Sequence, residues 1–272
     1  MTRFYFIAVN YNSADFTKYY IESILALKKT TEEHIEVVIV DNDSNSSDMS
    51  KLALLEDENN NVKIIWSPDN LGYFRGLNRG IESIEKNNDS IFVVGNNDLT
   101  FDEDFIRNFL KIKYSEDILV IAPNIITKEG RQQNPHVVKE VSKTEKMKVA
   151  VYYSNYYLGQ ALRLVNQKMK RLRNKPVPLK NNFGQMKIKR GFGACYILTP
   201  HFFKHYDKLD DRVFMWGEEA LLSHQVESVG CATLYDPEIK VIHHESASVQ
   251  SIQSKKKYYI TKESYKIYKK YL

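Results

Sequence analysis

The tripeptide Asn96-Asn97-Asp98 ends an apolar run, Ile91-Phe92-Val93-Val94-Gly95, that reads as a buried strand. A carboxylate flanked by amides at a strand's carboxyl end lies where open α/β sheets bind ligands. Asp98 is an oxygen ligand of the type Mg2+ or Mn2+ prefers, and such ions keep several waters and bridge to substrate phosphates. A second acidic group, Glu218-Glu219, follows Phe214-Met215-Trp216-Gly217. At a helix start the macrodipole alone favours such a pair. Beside aromatic rings, one of the two can also be desolvated and tuned as a general base. His243, at the start of His243-His244-Glu245, directly follows another apolar run, where a histidine can coordinate a metal or contact a phosphate.

Three more polar clusters follow strand-like runs: Val9-Asn10-Tyr11-Asn12-Ser13, Val40-Asp41-Asn42-Asp43-Ser44, and the segment from Asn70 to Gly80. Such residues serve as caps and turn formers, so each cluster alone says little. Parallel strands gather their carboxyl ends on one edge of the sheet, and turn chemistry alone does not require amides, carboxylates and an arginine there. Neither the dinucleotide nor the P-loop glycine fingerprint follows the first strand. A nucleotide is then expected on Asp41, through its base or ribose, with a metal at Asp98 neutralising a diphosphate. Gly72, Gly76 and Gly80 let their helix approach the sheet or ligand closely, with Arg75 or Asn78 facing the nucleotide.

The elements that must position these residues alternate over the first 123 positions. Strands are predicted at Phe4–Val9, Ile35–Asp41, Val62–Ser67, Ser90–Gly95 and Ile118–Pro123. Helices are predicted near Ala14–Lys28, Ser47–Asp57, Gly72–Lys86 and Glu103–Tyr114. This pattern predicts βαβ units and a mostly parallel sheet with helices on both faces. Residues 124–142 read as irregular or hairpin, and 145–174 as helical until Pro176 and Pro178. Strands follow at Cys195–Leu198 and Lys240–His243, with a helix near Glu218–Val229 and a helical tail at Ser254–Leu272.

The 272 residues suffice for one large α/β domain with an appendage, and 43% hydrophobic content supports a core. Two cysteines, Cys195 and Cys231, without ligand-like spacing point to a reducing compartment. No apolar stretch reaches membrane-spanning length and no signal peptide opens the chain, so a cytoplasmic location is expected. The net charge of +5 conceals an asymmetry: residues 1–138 carry 14 Lys/Arg against 22 Asp/Glu, and residues 139–190 carry 14 against 2. Residues 191–254 carry 4 against 9, and 255–272 carry 7 against 1. Basic segments on an acidic body point to an anionic partner, or else to a solvated helix face and tail. Tyr152, Tyr153, Tyr156, Tyr157, Leu158, Leu162 and Val165, interleaved with Lys168, Lys170, Arg171 and Arg173, suit an interfacial amphipathic helix.

In order and spacing these clusters resemble the family 2 inverting glycosyltransferases with the GT-A fold, in the bacterial branch that builds surface polysaccharides. The matching elements are Val-Asn-Tyr-Asn-Ser, Val-Asp-Asn-x-Ser, the Asn/Gly segment at 70–80, Asn-Asn-Asp, Gly191-Phe192-Gly193-Ala194, the acidic pair and a His-x-x-x-x-Ser ending at Ser248. They span about residues 4–248. The resemblance implies a GT-A-like α/β fold with a mostly parallel central sheet flanked by helices, a basic helical insert at about 139–190 and a helical tail at 254–272. Residues 1–123 would form the nucleotide-sugar-binding half and 124–253 the acceptor-binding and catalytic half.

It further implies a Mn2+ or Mg2+ site at Asp98, with Asn96 in place of the first carboxylate of a DxD-type motif and His243 near the diphosphate. Asn10, Asn12, Asp41, Asn70, Gly72, Arg75, Asn78 and Asn97 would line the nucleotide sugar. Glu219 takes the place of the aspartate that acts as base, Glu218 remains the competing base, and Leu221 and Gln225 replace a further Asp and Arg. The implied reaction is inverting transfer from a UDP-, dTDP- or GDP-linked sugar to a saccharide hydroxyl, on an acceptor that can be lipid-diphosphate-linked. The basic segments would then touch anionic membrane at its inner face. No nucleic-acid partner is expected, because nucleic-acid binding leaves the four polar strand ends without a role. A nucleotidyltransferase and a non-catalytic nucleotide-sugar-binding protein are the alternatives.

Overall fold

The computed structural model describes residues 1–30, 32–172, 183–245 and 254–272. Arg173, Pro176, Pro178 and Ser248, singled out above, lie outside the described residues. Four strands, β1 (Thr2–Asn10), β2 (Glu33–Asn42), β3 (Val62–Ser67) and β4 (Ser90–Asn96), pair in parallel in the order β3-β2-β1-β4. Their apolar centres are inaccessible: Phe4, Phe6, Ile7, Val37, Val38, Ile39 and Phe92 are each 0% exposed. Such burial follows from cover on both faces, which lets a parallel strand be apolar at every position. Helices α1 (Ala14–Leu25), α2 (Ser46–Asp57) and α3 (Tyr73–Glu82) connect these strands.

Beyond β4 the sheet becomes mixed. The order continues through β8 (Cys195–Leu198), β6 (Ile118–Thr127), β9 (Ala232–His243) and β5 (Leu99–Phe101), with β7 (Met186–Ile188) also paired to β9. Strand β8 runs antiparallel to both β4 and β6, whereas β6 and β9 are parallel. Helix α4 (Phe105–Leu110) follows β5. Strand β9 spans 12 residues where only Lys240–His243 is predicted, because Pro237 and a register shift opposite Pro123/Asn124 break its alternation. The three-residue β5 and β7 are too short to give a periodic signal.

The helix predicted over 145–174 is two helices, α5 (Lys143–Ser154) and α6 (Tyr156–Leu172). Asn155 between them is extended, and its Oδ1 accepts from the Tyr157 N–H at 2.9 Å, an N-cap contact that restarts the helix. A capping box of Ser142 and Glu145 starts α5. Helix α7 (Glu218–Ser228) carries the acidic pair, and α8 (Ser254–Tyr268) packs tyrosines against α5 and α6, with Tyr153 stacked on Tyr265 at 4.6 Å.

Candidate active site

The carboxyl ends of β1, β2 and β4 are joined by one buried network. Asn10, 0% exposed, donates through Nδ2 to Asp41 Oδ1 and Asp48 Oδ2, each at 2.8 Å. Its Oδ1 accepts from Thr17 Oγ1 at 2.9 Å and from Asn97 Nδ2 at 3.1 Å. Asp41 also accepts from the Ser44 N–H at 3.0 Å, and Asn97 donates to Thr17 and Ser13 hydroxyls. Both ends of the Asn10 amide are thus engaged, so this residue fixes Asp41 and Asn97 instead of presenting itself to a ligand. Asn12 accepts from the Asn45 N–H at 2.9 Å, holding the β1 and β2 loops together. Asp48, on α2 and without a local sequence signal of its own, accepts from the Ser13 and Ala14 N–H groups and caps α1 from another element.

A second network holds the entry to α3. Asn42, 2% exposed, donates to the Gly72 carbonyl at 2.9 Å and accepts from the Leu71 N–H at 3.2 Å. Asn70 accepts from the Gly72 N–H at 3.0 Å. Gly72 has φ +83°, and a Cβ there would lie 2.2 Å from the Phe214 carbonyl oxygen. The next N–H, of Tyr73, donates to that oxygen at 3.0 Å. Arg75 Nε donates to the Asp211 carbonyl, and Asn78 binds both backbone groups of Leu209 as well as Asp211 Oδ2. Asn78 is 2% exposed and fully committed to this loop, so in place of the expected nucleotide-facing position it anchors the segment leading to the acidic pair.

The opposite edge is set by register. Strand β5 pairs Leu99 with His243, which brings the end of β9 beside the end of β4. His243 Nε2 lies 3.3 Å from Asp98 Oδ1 and 3.4 Å from Asn96 Nδ2. His243 Nδ1 lies 2.8 Å from Gln133 Oε1, an acceptor, which orients the ring so that Nε2 faces Asp98 and Asn96. Gln133 and Arg131 both bind Glu245. Glu245 belongs to the cluster that follows the apolar run, whereas Gln133 and Arg131 carry no local sequence signal. Among the described residues no group of three or more His, Cys, Asp or Glu side chains is placed to hold a metal. The Asp98 carboxylate and the His243 imidazole do fit a divalent cation that takes its other ligands from a diphosphate and water.

The two acidic residues differ in surroundings. Glu218 is 3% exposed, and its Oε1 has no partner among the described residues. Burial, then the neighbouring Glu219 charge, pushes its carboxyl up to about 8. Glu219 is only partly buried, and a Cβ on Gly193 would lie 2.6 Å from its Oε1. The loop Gly191-Phe192-Gly193-Ala194 joins the two edges. The Ala194 carbonyl accepts from the Asn96 N–H at 2.9 Å, and the Gly193 carbonyl from the Tyr73 hydroxyl at 2.7 Å. The Phe192 ring lies 5.4 Å from His136 and 6.1 Å from His243. His136 lies within electrostatic reach of both Glu219 and Arg190. A β-bridge between Val137 and Arg190 joins the segments of His136 and Arg190, a long-range pairing that no sequence spacing marks.

An α/β sheet with its polar strand ends on one edge, an Asp/His pair and a partly exposed carboxylate defines a ligand site of the open-sheet kind. The chain belongs to glycosyl transferase family 2, whose family model matches residues 5–173. Among solved structures it is similar to GalNAc-T7 with UDP, GalNAc and Mn2+, at 14% identity and TM-score 0.60, over 90% of this chain and 44% of that one. It is similar also to the mannosyltransferase PcManGT from Pyrobaculum calidifontis in complex with GDP-Man and Mn2+, at 13% identity and TM-score 0.56, over 90% and 58%. A third is S. aureus TarS 1–349, at 12% identity and TM-score 0.56, over 90% and 60%. The fold is thus GT-A-like, and the chain spans about half the length of these proteins. None of the curated proteins compared matches this chain.

Proposed function

We propose that the chain transfers a hexosyl or rhamnosyl group from a nucleoside-diphosphate sugar to an acceptor hydroxyl with inversion, in the synthesis of a bacterial cell-surface polysaccharide. The observation that carries this reading is the loop 191–194, which has the Asp98/His243 pair on one side and Glu219 on the other. Residues 1–123 would bind the donor, with Asp41 facing its base or ribose and Asn12, Asn70, Gly72, Arg75 and Asn97 framing it. Residues 124–253 would bind the acceptor. Glu219 takes the proton from the acceptor hydroxyl as its oxygen bonds to the anomeric carbon. The bond from that carbon to the diphosphate breaks on the opposite face, and its electrons leave on the phosphate oxygen. Asp98 and His243 would hold Mn2+ or Mg2+, whose chemistry is to neutralise charge on the departing diphosphate. Glu219 is preferred to Glu218 because burial pushes the Glu218 carboxyl up and disfavours its charged form, whereas Glu219 is only partly buried.

The acceptor is expected to be lipid-diphosphate-linked. A peripheral contact with anionic membrane is supported by Tyr157, Leu158, Leu164 and Val165, all exposed on the basic α6. A thermal-shift screen of UDP-, dTDP- and GDP-sugars with and without Mn2+ tests the donor reading. One donor is expected to raise the melting temperature more with Mn2+, and no shift with any of them would overturn the reading.

A further inference from the structure

Glu219, Ser223 and Glu227 are spaced four apart on α7 and so share one face of the helix. All three meet the segment 189–193. Glu227 pairs with Lys189 Nζ, the Ser223 hydroxyl donates to the Lys189 carbonyl at 2.7 Å, and Glu219 Oε1 lies 2.6 Å from where a Cβ on Gly193 would be. The segment therefore runs along α7 toward the acidic pair, with Arg190 on that path. The Arg190 N–H donates to the Val137 carbonyl and its carbonyl accepts from the Val137 N–H, each at 3.0 Å, which fixes its backbone from the other side. The Tyr196 hydroxyl donates to the next carbonyl, that of Gly191, at 2.9 Å.

Arg190 is 8% exposed, and its Nε and Nη2 are enclosed without a hydrogen-bond partner among the described residues. Arginine cannot shed its charge on burial, so this guanidinium calls for a counter-charge nearby. Glu219 and Arg190 act together, with opposite sign, on two groups. The carboxylate raises both His136 and Tyr196, and the guanidinium lowers both. The other groups around Glu219 are uncharged or committed elsewhere. Burial pushes Tyr73 on α3, Tyr196 on β8 and Tyr268 on α8 up, and His136 down. Glu218 is pushed up to about 8 by burial and then by the Glu219 charge, which disfavours its charged form. Lys189 pairs with Glu140 and Glu227, and Lys257 lies over the Trp216 ring.

We propose that Arg190 is the counter-charge of Glu219, a positioning residue that acts across space to keep this carboxylate in its charged, proton-accepting form. With Glu218 uncharged, one guanidinium and one carboxylate leave this part of the interior neutral. When Glu219 takes the proton of the acceptor hydroxyl, that balance is lost. The buried cation then favours passing the proton on to solvent, which resets the base for the next turnover. The role of Glu219 as base rests on the glycosyltransferase reading, whereas the pairing of the two charges does not.

A double-mutant cycle of R190Q and E219Q, read by thermal unfolding of the full chain at neutral pH, tests the pairing. The change in melting temperature on R190Q should be several degrees less favourable in the wild-type chain than in E219Q, because only the former has the partner charge. The effect on the base is read from kcat/KM with a nucleotide sugar at about pH 5.5 and about pH 7.5, both below the range in which Glu218 ionises. R190Q should lose about fivefold or more activity at the lower pH beyond its loss at the higher one, since without the cation more of Glu219 is protonated there. R190K should recover part of the low-pH activity, because it restores the charge. Equal changes of melting temperature in the two backgrounds, or an equal loss of activity at both pH values, would overturn the pairing. A wild-type chain that keeps the coupling but transfers no sugar from any nucleotide sugar would instead overturn the glycosyltransferase reading.

Discussion

Glu218 and Glu219 are adjacent in sequence, but one enters the interior and the other lines the site. Replacing Glu219 with Gln removes the proposed base while keeping size and polarity. Turnover is expected to fall by about 100-fold or more, the usual share of a general base, with donor affinity nearly unchanged. Steady-state kinetics beside donor titration check this, and full turnover in the variant would refute the assignment. Glu218 makes a separate prediction about stability. Its carboxyl rises from 4.5 unfolded to about 8 folded, so the folded chain binds the extra proton between those values. Stability from this group therefore falls as pH rises from about 4.5 to about 8 and levels off above. Glu218→Gln should flatten that slope and raise stability at pH 9, as read from urea unfolding at several pH values.

At the scale of elements, the site depends on loops that cross-brace one another. The α3 entry is tied to Phe214, Arg75 and Asn78 on α3 are tied to 209–211, and all of these precede the acidic pair in space. Gly72→Ala would force a side chain into a backbone conformation suited to glycine, 2.2 Å from the Phe214 carbonyl. A loss of about 2 kcal/mol or more is expected, as for strained positive-φ sites with a backbone clash. Denaturant unfolding measures it, and activity should fall with it because the 214–219 segment moves. On the other side, α8 closes over this segment. Ser264 Oγ donates to the Met215 carbonyl at 2.8 Å, and a Cβ on Gly217, where φ is +104°, would lie 2.2 Å from the Tyr268 ring.

For the whole molecule, α5 and α6 of the basic insert form one layer with α8 of the tail. Tyr258 lies within 6 Å of Tyr152, Tyr153 and Tyr156, so the tyrosines that suggested an interfacial helix are partly spent on holding α5, α6 and α8 together. Among the described residues of this layer, Met147, Val151, Tyr157, Leu158, Leu164, Val165 and Tyr259 are left exposed. No helix among the described residues is long and apolar enough to cross a membrane. Flotation with anionic liposomes is expected to retain the chain at low salt and release it at high salt. Replacing Tyr157, Leu158, Leu164 and Val165 with Ser should abolish retention, and absence of binding at low salt would refute the membrane contact.

The parallel half of the sheet was legible in the sequence, because strands buried on both faces and amphipathic helices leave strong periodic signals. The sequence also marked Asp98 and His243, as polar residues closing apolar runs, and Glu218-Glu219, as an acidic pair at a helix start beside aromatic residues. It did not reveal which of these meet. Asp98 and His243 are brought together by the β5–β9 register, and Glu219 reaches the same loop through Gly193. Only the tertiary structure separated Asn10 and Asn78, which brace the site, from residues left open to a ligand, because hydrogen-bond commitment depends on partners 31 to 131 positions away. Arg190 was decided there too: a cation reads as solvated in a basic stretch, and only packing shows that its fork is enclosed without a partner.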